Sequence, residues 1–499
     1  MEFVEPLYGL LVLSVVLFLA ILASKTSGRL GVPALILFMA LGWIFGPEGL
    51  NLIHLPSLEW LRYVGVVALS LILFSGGLDT RFDSVRPVMW RGVSLATLGV
   101  LLTALVTAVA AYFIFPFTPA EAFLFGAIVS STDAAAVFSV LRSKSIGLKH
   151  KLRPLLELES SSNDPMALML TTAAIAWIIG ERESGLVMGF QLVYQLVVGA
   201  AMGILVGYVT LWFINRLSLQ YEGLFSVLIL SAALFTYSTT DLIQANGLLA
   251  VYCAGVVIGN KPFVHRQSTL KFFDGLAWLM QILIFVSLGI ILSPRALWDM
   301  VIPGILISLV LIFVSRPAGV FLSLLPFRKV GARDKVFISW VGLKGAAPLV
   351  FALYPLLAVE QGVSADVGQT VLNAVYFVVI LSVVLQGTLL TRVAEWLGLA
   401  LPMPEKTFYP LAMEQRDNFQ SLLQEIQLPG DSPAIGKSLV GLNLPTDSLI
   451  ILISRGDQFV MPNGSTELHA HDKLLVLATT QADLEGVYQR LGMFLPEST

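Results

Sequence analysis

The chain has 499 residues, of which 56% are hydrophobic and 13% are charged, and its formal net charge is −3. An ordinary soluble domain contains about 25% charged residues, so this chain has too few of them to cover a water-facing surface. The composition excludes a soluble globular protein and a disordered one, and the small net charge argues against a nucleic-acid partner. The single cysteine, Cys253, excludes an intrachain disulfide and a cysteine-ligated metal cluster. The sequence therefore predicts an integral membrane protein.

Long apolar segments follow one another along the first 391 residues. A helix needs about 20 mostly apolar residues to cross the hydrocarbon core of a membrane. By this criterion we count about thirteen spans, with approximate limits at 6–24, 31–47, 60–78, 92–115, 120–141, 154–180, 186–215, 222–240, 242–259, 272–292, 299–325, 336–357 and 368–391. The expected fold is an all-α polytopic membrane region.

Lysine and arginine are unevenly distributed among the loops that connect these spans. Basic clusters at 142–153 and 328–335 follow odd-numbered spans, whereas the loops after even-numbered spans contain only Arg182 and Arg295. Because loops rich in Lys and Arg stay in the cytoplasm during insertion, this alternation supports thirteen spans. It predicts an external N-terminus and a cytoplasmic chain from about residue 392 onward.

The composition changes near residue 400, where polar residues replace the apolar runs. Strands are predicted at 449–454, 458–461 and 473–478, and turns separate them. We expect the exchanger-like membrane domain at 1–395, a linker at 396–424 and a small α/β cytoplasmic domain at 425–499. No glycine-rich strand-to-helix turn follows residue 400, so we expect neither NAD nor another cofactor.

Polar side chains interrupt the fifth and sixth spans, where ionisable groups are costly and usually functional. The fifth span contains Ser130-Ser131-Thr132-Asp133-Ala134-Ala135, and the sixth contains Glu159-Ser160-Ser161-Ser162-Asn163-Asp164-Pro165. Unwound backbone at this depth is tolerated where it lines a cavity or is buried in protein. In the sixth span Pro165 also removes one helical hydrogen bond.

Ser160 and Asp164 are four residues apart and therefore share one face of a helix, with Asn163 beside them. Together with the fifth-span group they offer hard oxygen ligands that suit a desolvated monovalent cation. For the serines, hydrogen bonding between helices is an alternative that stays open. Burial disfavours the charged form of Asp164, so either a cation or a proton must neutralise it. Competition for this one carboxylate would couple two fluxes.

Basic residues occur in two later spans, as Arg316 before Pro317 and as Lys344 in Gly342-Leu343-Lys344-Gly345. Because an unpaired buried cation is costly, each should have a partner. We expect Glu159 to pair with Arg316 in a structural ion pair. Lys344 lies in a second span with residues that break helices, and it is expected to neutralise the C-terminus of a half-helix.

The two interrupted spans are the fifth and the twelfth, an offset of seven. An odd offset inverts one copy relative to the other, as in transporters built from inverted repeats. Spans one to six and eight to thirteen would form these repeats. The prediction is thus about thirteen transmembrane helices with inverted repeats and two discontinuous helices.

At these residues the chain resembles the cation:proton antiporter-1 family, the NhaP-like sodium or potassium/proton exchangers. The resemblance covers about 1–395 and includes 132–133, 159–164, 316–317, 342–345 and Phe74-Ser75-Gly76-Gly77-Leu78. It implies a homodimer that exchanges K⁺ or Na⁺ for H⁺ across the bacterial inner membrane. It also implies Asp164 as the carrier of cation and proton, assisted by Asp133, Ser160 and the Thr132 carbonyl. The Asn163-Asp164 pair resembles the electroneutral branch.

The segment from about 425 to 495 resembles the C-terminal half of a regulator-of-potassium-conductance module, a TrkA-C-like domain. An exchanger with this tail resembles the potassium/proton antiporters of cell volume and pH homeostasis, with Na⁺/H⁺ exchange as the alternative. At the tail, a small-molecule ligand and a ligand-free folded cap remain alternatives. Two positions depart from the family pattern: Ser75 replaces a frequent acidic residue and Lys344 replaces a common arginine, which loses bidentate geometry.

Two other classes of protein share single features with this sequence. An intramembrane aspartyl protease could use Asp133 and Asp164, but its Gly-x-Gly-Asp motif is absent and an inverted repeat would be unexplained. A potassium channel with a regulatory tail would need a Thr-Val-Gly-Tyr-Gly filter, which the sequence lacks. We therefore predict a transporter and not an enzyme.

Overall fold

A computed structural model describes residues 4–30, 33–133, 137, 138, 140, 141, 144, 146–180, 185–217, 221–402, 422–456 and 458–493. The chain divides into two compact units, Met1–Thr407 and Phe408–Thr499. Ala134 and Ala135 of the fifth-span motif and residues 403–421 of the predicted linker lie outside the described residues.

The first unit is built mostly from helices, and each of the thirteen predicted spans overlaps at least one of them. The helices are α1 (Val4–Leu30), α2 (Ala34–Phe45), α3 (Leu58–Asp79), α4 (Phe82–Ile114), α5 (Pro119–Ile128), α6 (Leu152–Ile178), α7 (Gly185–Arg216), α8 (Glu222–Leu242), α9 (Gly247–Gly259), α10 (Arg266–Ile290), α11 (Val301–Ser323), α12a (Ala332–Trp340), α12b (Ala346–Leu357) and α13 (Ala365–Trp396).

Eight helices within the described residues are long and apolar enough to cross a membrane, and α2, α5, α9 and α12b are shorter apolar helices. The fold class is confirmed as a mostly helical membrane protein with a small C-terminal α/β domain, while the count of thirteen crossings stays a prediction. Several helices begin at side-chain caps, which satisfy the unpaired N–H groups of a first turn. Ser57 caps α3, Asn246 caps α9, and Thr118 forms a capping box with Glu121 at α5.

The helices of the fourth and eleventh spans, α4 and α11, each contain one π-helical turn. These turns lie at Leu95–Gly99 and Leu311–Ser315. The two helices cross where Gly99 approaches Gly319, since a Cβ built on Gly319 would lie 2.7 Å from the Gly99 carbonyl oxygen. The pairing of spans four and eleven has the same offset of seven as the two interrupted spans. This likeness supports the predicted inverted repeat.

The helices of the first unit form two groups by their packing. Helices α1, α2, α3 and α7 to α10 pack mostly on one another, and we call them the scaffold group. Helices α4 to α6 and α11 to α13 form the second, core group. Strand β1 (Ile146–Leu148), between α5 and α6, pairs antiparallel with β2 (Ala400–Pro402), which follows α13.

In its described residues, 422–456 and 458–493, the second unit has a four-stranded antiparallel sheet and one α-helix. Its strands are β3 (Leu422–Gln427), β4 (Ser448–Arg455), β5 (Gln458–Val460) and β6 (Lys473–Ala478), in the order β3-β6-β4-β5. Helix α14 (Gln481–Arg490) follows β6, and its side chains Leu484 and Val487 join the buried core. The three predicted strands are present. Strand β3, which the sequence analysis did not identify, begins before residue 425.

Candidate functional site

The interruptions of the fifth and twelfth spans meet in the core group. The backbone N–H of Asp133, beyond the end of α5, donates to the carbonyl oxygen of Leu343, between α12a and α12b, at 2.7 Å. Backbone groups that lose their helical partners at the breaks thus bind one another. A Cβ on Gly345 would overlap the Asp133 carboxyl group, so this glycine permits the close approach of the two breaks.

Lys344 lies in the α12 break and is 2% exposed. Its Nζ donates to the carbonyl oxygen of Ser131 at 2.8 Å and to that of Ser130 at 3.4 Å. These carbonyls follow the C-terminal end of α5, where the helix dipole concentrates partial negative charge. The ammonium group is therefore placed at the end of a half-helix, the position at which the sequence analysis expected a neutralising cation.

Two side chains of α13, neither of them predicted from the sequence, complete the α12 break. The Ser382 hydroxyl accepts from the backbone N–H of Lys344 at 3.1 Å and donates to Gln386. The Gln386 amide in turn donates to the carbonyl oxygen of Trp340 at 2.8 Å. The available signal was their spacing, because two polar residues four apart share one face of a helix.

Asn163 and Asp164 of α6 face the α5 break. The Asn163 side-chain amide donates to the Thr132 hydroxyl, and the Ser160 hydroxyl donates to the Thr132 carbonyl oxygen at 2.7 Å. Asp164 is 8% exposed, and its Oδ1 accepts no hydrogen bond of normal geometry from the described residues. The structure thus gathers the predicted ion-binding residues of the fifth and sixth spans at one place.

A cavity of about 620 Å³ leads to this place. Asp133 and Asp164 line its inner end, together with Thr132 and Ser160. Arg81 and Arg153 line its other end, which we call the mouth, and both side chains are at least partly exposed there. Asn163 is fully buried and is absent from the cavity wall. The cavity therefore connects two carboxylates with one face of the molecule.

Glu159 and Arg316 form an ion pair that joins α6 to α11. Both are almost fully buried, with side chains 1% and 2% exposed. A Cβ on Gly342 would lie 2.7 Å from Arg316 Nε, so Gly342 leaves room for the guanidinium group. Neither charged side chain lines the cavity. The pair lies behind the wall that carries Asp164.

The chemistry of the inner end is that of oxygen. Two carboxylates, hydroxyl groups and unwound backbone lie together, and such oxygens can replace part of the hydration shell of a monovalent cation. A buried carboxylate without a compensating charge is expensive. The arrangement can therefore hold a cation or a proton at Asp164, delivered through the cavity.

Comparisons with known proteins assign each of the two units to a known family. Residues 14–396 match the family model described as sodium/hydrogen exchanger, transmembrane, and residues 423–492 match the TrkA-C domain. Over 464 residues the chain is 38% identical to a K⁺/H⁺ antiporter NhaP2 of Shewanella sp. strain MR-4, covering 92% of this chain and 79% of that protein. It is 34% identical to a K⁺/H⁺ antiporter NhaP of Alkalimonas amylolytica, covering 94% of this chain and 80% of that protein.

A solved structure shares the fold. The sodium proton antiporter MjNhaP1 of Methanocaldococcus jannaschii at pH 8 superposes with a TM-score of 0.69 and 25% identity, covering 79% of this chain and 99% of that one. The family model covers most of the first unit, and the two K⁺/H⁺ antiporters match 92% and 94% of this chain. These similarities agree with the discontinuous helices and the buried carboxylates, and they show that the chain belongs to the sodium/hydrogen exchanger family.

Proposed function

We propose that this protein is a secondary antiporter that exchanges cytoplasmic K⁺ for external H⁺ at Asp164. One observation carries the proposal: the Asp164 carboxyl group lies at the inner end of a cavity, beside two helix breaks. The basic side chains behind it have other partners, since Lys344 binds carbonyl oxygens of the α5 break and Arg316 binds Glu159.

Exchange follows from the cost of burying charge. A bare carboxylate at the Asp164 position is disfavoured, so the site is stable either with a proton or with a cation. Because one neutralising charge excludes the other, a cation that enters must displace a proton. One charge is replaced by one charge, which makes the exchange electroneutral.

The neighbouring residues then have separate roles. Asp133, Ser160 and the Thr132 carbonyl supply further oxygen ligands, and Asn163 positions Thr132 by its hydrogen bond. Lys344 neutralises the C-terminal end of α5. The buried Glu159–Arg316 pair holds α6 against α11 and stays structural.

Potassium is the cation that we propose first. The two K⁺/H⁺ antiporters match the chain over 92% and 94% of its length. A Na⁺/H⁺ antiporter 1 of Methanocaldococcus jannaschii is 27% identical over 78% of this chain. Sodium is therefore the second candidate, supported by that relative and by the solved sodium proton antiporter.

We also propose the membrane, the orientation and the oligomeric state of the protein. The distribution of Lys and Arg among the loops supports an external N-terminus and a cytoplasmic TrkA-C domain in a bacterial inner membrane. The resemblance to the exchanger family supports a homodimer, which cross-linking in native membranes would test. The TrkA-C domain either binds a small-molecule ligand or is a ligand-free folded cap, and a binding measurement on the full-length protein distinguishes the two.

The test uses proteoliposomes that contain a pH-sensitive dye. K⁺ and then Na⁺ are added across a series of pH values to the wild type, to Asp164→Asn and to Asp366→Asn. Asp366 is exposed at the start of α13 and serves as the matched acid-to-amide control. We expect K⁺ to move protons in the wild type and the control, and not in Asp164→Asn.

Each other result has a defined meaning. Proton movement with Na⁺ alone would change the cation and keep the mechanism. Exchange that persists in folded Asp164→Asn would contradict competition at this carboxylate. Ion flux without proton movement would point to a channel.

A further inference from the structure

The cavity wall includes parts of α3 and α12b, which belong to the scaffold and core groups. Residues within 69–80, on and after α3, and residues 345–348 at α12b line it. Earlier residues of α3 contact later residues of α12b, so the two helices are antiparallel here. Two such contacts involve residues of these helices that are absent from the cavity wall.

The first contact joins Gly65 to Val350. Both residues are buried, and a Cβ built on Gly65 would lie 2.9 Å and 3.0 Å from the two methyl carbons of Val350. Since Gly65 has no side chain, the α3 backbone touches the valine directly. Gly65 precedes Leu69 by four residues, and therefore lies on the helix face that lines the cavity. We call this contact the seal.

The second contact lies one turn farther from the cavity. The guanidinium carbon of Arg62 is 5.6 Å from the ring centroid of Tyr354, within cation–π distance. Tyr354 follows Val350 by four residues, and Arg62 precedes Gly65 by three, so both extend the faces that form the seal. On the scaffold side Arg62 also stacks on Tyr63, at 4.7 Å.

We propose that Arg62 and Tyr354 form a gate that closes the cavity on the side opposite its mouth, with the Gly65–Val350 seal beneath it. One partner of each contact lies on the scaffold group and the other on the core group. Access to Asp164 from the opposite side therefore requires both contacts to separate. This inference rests on the proposed exchange, because only a carrier must expose its site to both sides of the membrane.

A disulfide across the seal tests this requirement. The built Cβ of Gly65 is 3.6 Å from Val350 Cβ, and disulfides join Cβ atoms about 3.5–4.5 Å apart. The variant combines Gly65→Cys, Val350→Cys and Cys253→Ser, so that only the designed pair can react. Cysteine is smaller than valine, which relieves the contact with the new side chain. We expect oxidation to abolish K⁺-driven proton movement and reduction to restore it.

A matched disulfide within the core group provides the control. The built Cβ of Gly99 is 3.7 Å from Ser323 Cβ, so Gly99→Cys with Ser323→Cys has the same spacing. Both positions belong to helices of the core group, α4 and α11. Oxidation of this pair should leave exchange unchanged. Exchange that continues in protein fully cross-linked between positions 65 and 350 would overturn the proposal.

A second measurement does not need exchange activity. Ser161 lines the cavity, and Ser161→Cys in a Cys253→Ser background can report access to a membrane-impermeant maleimide. We expect faster labelling from the mouth side than from the opposite side. Because Arg62→Ala with Tyr354→Ala removes one of the two contacts that must separate, it should speed labelling from the opposite side, whereas the exposed control Glu59→Gln should not. An unchanged opposite-side rate in the gate variant would overturn the gate even in a protein that exchanges K⁺ for H⁺.

Discussion

The ammonium group of Lys344, in the break of α12, donates a 2.8 Å hydrogen bond to the carbonyl oxygen of Ser131, in the break of α5. A single side chain thus joins the two discontinuous helices. The bond satisfies a carbonyl that no longer has a helical N–H partner, and it places a positive charge at a helix C-terminus. Lys344 is thereby engaged by backbone near the carboxylate that we propose as carrier.

Lys344→Met should weaken both stability and exchange. It leaves the Ser131 carbonyl buried without a donor, which costs about 1–3 kcal/mol. Lys344→Arg keeps the charge and the donors and should retain most activity. Thermal unfolding in detergent and proton movement in proteoliposomes measure the two effects. Lys329→Met, at an exposed lysine, is the control, and wild-type behaviour of Lys344→Met would refute this role.

Swapping the charges of Glu159 and Arg316 should restore part of the folded yield that each single substitution loses. Removing one partner of a buried pair leaves an unpaired charge, at a cost of about 3–5 kcal/mol. Glu159→Arg and Arg316→Glu should each reduce the yield of folded protein, and the double variant should restore part of it. Size-exclusion chromatography reports the folded fraction. No recovery in the double variant would argue that the ion pair does not stabilise the core group.

Gly345→Ala should impair exchange through a steric effect. The added Cβ would overlap the Asp133 carboxyl group. The φ of Gly345 is −105°, outside the left-handed region that favours glycine. Gly275→Ala on α10 is the matched control, since nothing lies within 4 Å of its built Cβ. Equal exchange rates in the two variants would show that the Asp133 position tolerates displacement.

The ion pair of Arg455 and Asp472 should make the TrkA-C domain sensitive to acid. Burial acts to raise the pKa of Asp472, but hydrogen bonds from Arg455 and from the His469 backbone N–H outweigh it and hold the pKa below its usual value. A lowered folded-state pKa stabilises the domain above the unfolded-state value, about 3.9. That stabilisation is lost as the pH falls through the folded-state pKa.

Hydrogen exchange of β6 in the full-length protein measures this effect. Asp472→Asn should speed exchange at neutral pH, because Arg455 loses its charged acceptor, at a cost of about 1.5–3 kcal/mol. The protection factor of the wild type, which corrects for the pH dependence of intrinsic exchange, should approach that of Asp472→Asn only under strongly acidic conditions. Asp431→Asn, at an exposed acid, should match the wild type throughout. Identical protection in Asp472→Asn and the wild type at neutral pH would contradict the assignment.

The helices could be predicted from the sequence because the membrane imposes their length and polarity. The strands of the TrkA-C domain could also be predicted where the alternation of residues and the turn signals are strong, as at Leu449–Ser454. Strand β3 escaped notice because the segment ending in Gln427 reads as polar. Its place depends on pairing with β6, a partner distant in sequence.

Composition and pattern alone determined that this chain is a membrane protein with interrupted fifth and twelfth spans and a costly buried acid at Asp164. Charge and hydrogen-bonding capacity are properties of single residues, so the free-energy cost of burying them in hydrocarbon can be inferred from the sequence. Only the tertiary structure decided which partner groups compensate for that cost. Ser382 and Gln386 at the α12 break and Arg62 against Tyr354 are contacts between distant segments, and their geometry depends on how whole helices pack.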